Sequence, residues 1–132
     1  MFIKLYGIAL AVFLAIDMLW LTVLAKDLYA KHLGYLMAKS PNLIAAFIFY
    51  LIFIAGLVFF VLEPALGKKT WMQVLTSGLL FGLVTYATYD LTNLATIKNW
   101  PLNITIIDLL WGMGISAVTS VLTFFIATKL RV

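Results

Sequence analysis

Apolar residues are gathered along this chain into four long runs, which short polar connections separate. The runs extend over about Ile3–Ala25, Leu43–Leu62, Met72–Ala95 and Leu102–Thr128. Each has about 20 residues or more, enough for a helix to cross a hydrocarbon layer of about 30 Å. They are too long for strands and do not alternate, and backbone groups in lipid need partners within their own segment. The pattern predicts an all-α membrane protein, a bundle of four transmembrane helices forming one domain over residues 1–132.

The first connection, residues 26–42, has a different pattern. Four of its residues fall at helical spacing on one face, and these are Tyr29, Leu33, Leu36 and Met37. The charged side chains of the segment lie elsewhere on the helical wheel. This predicts a short amphipathic helix lying in the headgroup plane and ended by Ser40-Pro41.

Composition supports the membrane interpretation and removes several classes of function. Hydrophobic residues make up 65% of the chain and charged residues only 11%, whereas a soluble domain is near half apolar and a quarter charged. The absence of cysteine excludes disulfides, thiolate metal sites and iron–sulfur clusters. The net charge of +4 comes from lysines between the apolar runs, so it indicates contact with membrane lipid and not with nucleic acid.

The orientation is only weakly determined by charge. Four spans place both termini on one side of the membrane, and that side has five of the nine basic residues. The positive-inside rule therefore favours cytoplasmic termini. A balance this even is also expected of a protein that inserts in both orientations.

Three of the five acidic residues lie inside the spans. Asp17 is about eight residues, or about 12 Å, from the end of the first span. Asp90 lies about five residues from the end of the third span, and Asp108 about six residues into the fourth. All three fall in the membrane half next to the first and third connections. A charged carboxylate in mid-bilayer costs at least a few kcal/mol, so such residues usually face the bundle interior and mark a functional site.

Helical periodicity places other residues beside these acids. One stripe of the third span contains Gly78, Gly82, Tyr86, Asp90 and Asn93, and its glycines allow a neighbouring backbone to approach closely. We therefore expect the first, third and fourth spans to build the site, and the second to close the bundle. Tyr86, Tyr89 and Asn93 are the expected hydrogen-bond partners of the acids.

An Asp-x-x-Trp pattern occurs twice, at Asp17–Trp20 and at Asp108–Trp111. Residues at i and i+3 are neighbours on a helix, so each Trp is placed to wall off a carboxylate or to bind a cation on its face. Enrichment of Trp at membrane interfaces explains the pattern equally well.

Several of these segments resemble a family of small predicted bacterial membrane proteins of unknown function. The resemblance lies in the run Tyr-Asp-Leu-Thr-Asn-Leu-Ala-Thr at residues 89–96, in Lys98-Asn99-Trp100-Pro101, in Asp108-x-x-Trp111-Gly112 and in Asp17-x-x-Trp20-Leu21. It extends over essentially the whole chain. It implies a multi-pass protein of the bacterial inner membrane and implies no activity.

Three functions remain open. The favoured one is binding or transport of a proton, a cation or a small cationic solute by Asp17, Asp90 and Asp108. An accessory or assembly subunit of a larger membrane complex is the second, with the acids only fixing helix register. An enzyme acting on lipid headgroups is the least favoured, because the chain has no His-Glu-x-x-His, no Gly-x-Ser-x-Gly and no phosphate-binding glycine loop.

The sequence predicts few partners for this domain. Neither a cofactor nor a resident metal is expected. Four helices enclose little volume, so a homodimer is a candidate assembly. The small-residue stripe Gly7-Ala11-Ala15 is one candidate contact for it.

Overall fold

A computed structural model describes residues 1–132, and it consists of helices and their connections. The helices are α1 (Phe2–Leu19), α2 (Lys26–Leu33), α3 (Leu43–Leu57), α4 (Trp71–Thr96) and α5 (Leu102–Lys129). Two of them continue directly into π-helical turns, α1 into Trp20–Leu24 and α3 into Val58–Leu62.

Four helices are long and apolar enough to cross a membrane, namely Phe2–Leu24, Leu43–Leu62, Trp71–Thr96 and Leu102–Lys129. The predicted all-α architecture with four spans is confirmed. Local chemistry fixes several of the ends. Thr70 and Gln73 form a capping box at the start of α4, and the Asn42 side chain accepts a hydrogen bond from Ala45 N–H at the start of α3. Such caps satisfy backbone donors that have no partner within the helix.

The helix in the first connection is shorter than predicted. It ends at Leu33, not at Ser40-Pro41, and Leu36 and Met37 are exposed outside it. Gly34, a residue of low helix propensity, lies directly after its last residue. Beyond that point the Tyr35 hydroxyl donates a 2.7 Å hydrogen bond to the carbonyl oxygen of Asn99. The first connection is thus tied to the third, at the same end of the bundle.

Helices α4 and α5 make the most extensive contact between any two helices of the fold. A Cβ added at Gly78 would lie 2.8 Å from Cα of Ala117. One added at Gly82 would overlap the backbone of Gly112, and one added at Gly112 would overlap the ring of Tyr86. The glycine stripe of the third span therefore packs against α5, as its pattern predicts.

The hydrophobic core fills only one half of the bundle, the half next to the chain termini. It joins Leu5 and Phe13 of α1 to Phe53 and Leu57 of α3 and to Ile115 of α5. In the other half, the first turns of α3 lack core contacts, and their large side chains are exposed at Leu43, Ile44, Phe47 and Ile48. The second span closes the bundle at one end and leaves it loosely covered at the other.

The contact between α4 and α5 makes a clear stability prediction. We expect Gly82→Ala to weaken the fold by about 1–3 kcal/mol, because the added methyl group meets backbone that has no side-chain freedom to move. Gly7→Ala is the matched control, since nothing lies within 4 Å of a Cβ added there. Unfolding by SDS in mixed micelles measures both variants. Equal stability of the two would contradict the described packing.

Candidate functional site

A cavity of about 400 Å³ occupies the loosely covered half of the bundle. Twelve residues line it, and three of them are the membrane aspartates Asp17, Asp90 and Asp108. The cavity also brings together Trp20, Tyr86, Tyr89 and Trp111. Of the residues predicted for the site, only Asn93 does not line it. Asn93 is half-buried one turn beyond Asp90, which moves it toward the third connection.

Five lining residues were not among those predicted, and they are Leu21, Tyr29, Phe49, Tyr50 and Thr85. The most important are Tyr29 and Tyr50, because both bind aspartates. Tyr50 stands out in the sequence as the main polar side chain of the second span, which was expected only to close the bundle. Tyr29 lies on the apolar face of α2, where its pattern predicts contact with the headgroup layer.

Asp17 is bound from the second span. The Tyr50 hydroxyl on α3 donates a 2.5 Å hydrogen bond to Oδ2 of Asp17, and the indole of Trp111 lies close to the same carboxylate. Phe13, one turn before Asp17 on α1, packs edge-on against the Tyr50 ring at 5.7 Å. Helix α1 therefore holds both the acid and the ring that positions its donor.

Asp108 is bound from the first connection. The Tyr29 hydroxyl on α2 donates to Oδ1 of Asp108 and accepts a 3.2 Å hydrogen bond from Nε1 of Trp20. Burial raises the pKa of Tyr29, and so does the hydrogen bond to Asp108. The phenol thus remains a neutral donor, and Tyr29 fixes α2 across the end of the cavity.

Asp90 differs from the other two acids because no donor reaches it. Its side chain has no exposed surface, and neither carboxyl oxygen has a hydrogen-bond partner. It lies next to Asp108, and no lysine, arginine or histidine lines the cavity. A buried polar group without a partner is costly, and an acid in a span is more so.

The tryptophan of each Asp-x-x-Trp motif is associated with the aspartate of the other motif. Trp20 is linked through Tyr29 to Asp108, and Trp111 lies beside Asp17. Their indoles stack with centroids 4.2 Å apart and planes 11° apart. Because α1 and α5 are antiparallel and side chains tilt toward the N-terminus of their helix, the two rings lean toward each other.

The backbone at Trp20 is itself unusual. Ala25 N–H donates to the carbonyl oxygen of Trp20 at 2.8 Å, which is the wide hydrogen-bonding pattern of a π-helix. Single π-helical turns are found frequently at functional sites. Here the turn places both Trp20 and Leu21 against the cavity.

Oxygen and nitrogen ligands are not gathered for a metal ion. No group of three or more His, Asp or Glu side chains has the spacing that such an ion requires. His32 lies outside the cavity, with Nδ1 3.0 Å from the carbonyl oxygen of Leu28 on its own helix. The carboxylates share a cavity, yet only Asp17 and Asp108 accept hydrogen bonds there.

Comparison with known protein families gives a match over most of the chain. The family described as "Predicted membrane protein (DUF2177)" matches residues 2–125. The chain belongs to this family. The matched residues include all three membrane aspartates and every residue that lines the cavity. No curated protein matches the chain, and no solved structure does so either.

The Tyr29 contact yields a prediction about pH. Ionised tyrosine absorbs at 295 nm. An ordinary phenol ionises near pH 10, whereas that of Tyr29 ionises at higher pH. We therefore expect the Tyr29→Phe variant to lose part of the 295 nm absorbance that the wild-type protein gains only well above pH 10. The folded protein holds this proton more tightly than the unfolded chain. Its contribution to stability is therefore present below about pH 10 and lost above it.

Stability measured in detergent at pH 8 and at pH 11 checks this sign. The wild-type protein should lose more stability between these pH values than the Tyr29→Phe variant. A variant with the same pH dependence and the same late absorbance as wild type would show that Tyr29 is not held by Asp108.

Proposed function

We propose that this member of the family binds a small organic cation at the carboxylates of its cavity. The observation that carries the proposal is Asp90, a fully buried carboxyl group without a hydrogen-bond donor in a cavity without a basic side chain. No basic side chain in the cavity neutralises the charge of its carboxylates. An ammonium group supplies both the charge and the N–H donors once the side chains that bury Asp90 move aside.

The other two acids support this role without competing for it. Asp17 accepts from Tyr50 and Asp108 from Tyr29, so each already has a neutral donor. Asp90 and Asp108 lie next to each other, and two adjacent carboxylates repel unless a proton or a cation lies between them. The ligand cation and a proton are thus alternatives for one position, which couples binding to pH.

The size and the walls of the cavity favour an organic cation over a bare ion. A volume of about 400 Å³ lies within the range of small-molecule sites, about 300–1,000 Å³. Trp20, Tyr86, Tyr89 and Trp111 present aromatic surface to it. A cation on such a face gains about 0.5–2 kcal/mol.

Transport, as distinct from binding, requires a second conformation. Toward the chain termini the cavity ends at the packed core, where Phe53 contacts Phe81 at 5.3 Å and Phe13 at 5.1 Å. A ligand that crosses the membrane must displace these rings. The proposed function is therefore binding, without transport.

The location of the site follows from the proposed orientation. We propose that the protein lies in the bacterial inner membrane with cytoplasmic termini, because of the resemblance and because of the small excess of basic residues on that side. The cavity then lies in the outer half of the bilayer. A ligand supplied from outside the cytoplasm is consistent with this placement.

Replacement of Asp90 tests the proposal. Benzyltrimethylammonium is titrated into protein in lipid nanodiscs at pH 7.5, and binding is followed by quenching of tryptophan fluorescence. We expect Asp90→Asn to weaken binding at least tenfold, about 1.4 kcal/mol, because the isosteric amide has no charge. Lower pH should weaken binding to the wild-type protein in the same direction.

Asp27→Asn is the matched control, because Asp27 is exposed on α2 and does not line the cavity. It should bind as wild type does. Binding that Asp90→Asn leaves unchanged would overturn the proposal. An Asp90→Asn variant that is altered in stability while the wild-type protein binds no cation would instead support an accessory role.

A further inference from the structure

The cavity opens sideways, between α3 and α4. Nine of its twelve lining residues are buried or half-buried, but three are substantially exposed: Leu21 at 38%, Phe49 at 49% and Tyr89 at 57%. Phe49 lies on α3 and Tyr89 on α4, so they flank a gap between these two helices. Leu21 follows Trp20 in the π-helical turn. These residues mark the rim of the opening.

The gap exists because α3 and α4 meet over only part of their length. Near the chain termini they are joined by Phe81, whose ring contacts Phe53 and would lie 3.2 Å from a Cβ at Gly56. From Phe49 toward the start of α3, no such contact follows, and the large side chains face outward. Phe81 is thus the floor of the gap.

The rim lies at hydrocarbon depth. Phe49 is six residues from Leu43, the first residue of α3, and Tyr89 is seven residues from Thr96, the last of α4. At 1.5 Å per residue both lie about 10 Å below the helix ends. No charged residue of the connections lines the cavity. The hydrogen bond from Tyr29 to Asp108 holds α2 across the end of the cavity next to the first connection. The opening therefore faces lipid chains.

We propose that the ligand is an amphiphile with an ammonium head and a single long alkyl chain, which enters from the bilayer between α3 and α4. This rests on the proposed function, and adds the class of ligand and its route. The ammonium lies against Asp90, where the charge is complementary, and the chain leaves through the gap between Phe49 and Tyr89. A free long-chain amine has this chemistry.

Photolabelling tests the route. A dodecylammonium probe with a diazirine in mid-chain is added to protein in nanodiscs, irradiated, and the labelled residues are identified by mass spectrometry. We expect label at Phe49, Thr85 and Tyr89, reduced at least fivefold by excess benzyltrimethylammonium and by Asp90→Asn. Label spread evenly over outward-facing positions such as Ile3 and Val118 would overturn the proposal.

A pair of variants on α4 provides the structural control. Thr85 lines the cavity and Thr88 does not, yet each hydroxyl donates to the carbonyl oxygen four residues earlier. Thr85→Trp should suppress the competed label at least fivefold, because the indole fills the gap. Thr88→Trp should leave it unchanged. Equal labelling of the two variants would count against the route.

Two further readouts separate the alternatives. If benzyltrimethylammonium binds through Asp90 while the long-chain probe gives no competed label, the binding function stands and the lateral route fails. If neither binds, the proposed function fails as well. A second copy of the chain covering the gap is detected with Phe49→Cys, the only cysteine in that variant. Disulfide-linked dimers formed in nanodiscs would overturn an amphiphile as the occupant.

Discussion

The close approach of α4 and α5 is the contact on which the site depends. Gly78 and Gly82 let the backbone of α4 meet that of α5, and Gly112 leaves room on α5 for the ring of Tyr86. Asp90 lies about 12 Å along α4 from Gly82, and Asp108 about 6 Å along α5 from Gly112. In antiparallel helices, the tilt of side chains toward each N-terminus directs the two acids toward one another. A wider helix pair would separate them.

The two ends of the bundle differ in polarity and in packing. Near the chain termini, large apolar side chains of α1, α3, α4 and α5 pack into a continuous core. At the other end the same helices enclose polar groups that interlock through hydrogen bonds, and α3 covers them only partly. The packed end supplies stability, which allows the open end to hold a buried acid without a partner.

Periodicity and hydropathy were sufficient to predict the spans, because lipid leaves a long apolar segment few structural choices. They also placed Asp17, Asp90 and Asp108 at similar depths. They could not identify Tyr50 and Tyr29 as the donors, since these bonds join residues 33 and 79 positions apart. Asn93 was predicted from its stripe, but a stripe gives a direction around the helix and not a height along it.

The two Asp-x-x-Trp motifs are paired across α1 and α5, and each tryptophan is associated with the aspartate of the other motif. The two motifs lie on antiparallel helices, and their indoles stack face to face. Trp111 lies close to Asp17, and Trp20 is linked to Asp108 through the Tyr29 hydroxyl. The two motifs therefore form one structural unit, and a substitution of either tryptophan changes the surroundings of the carboxylate on the other helix.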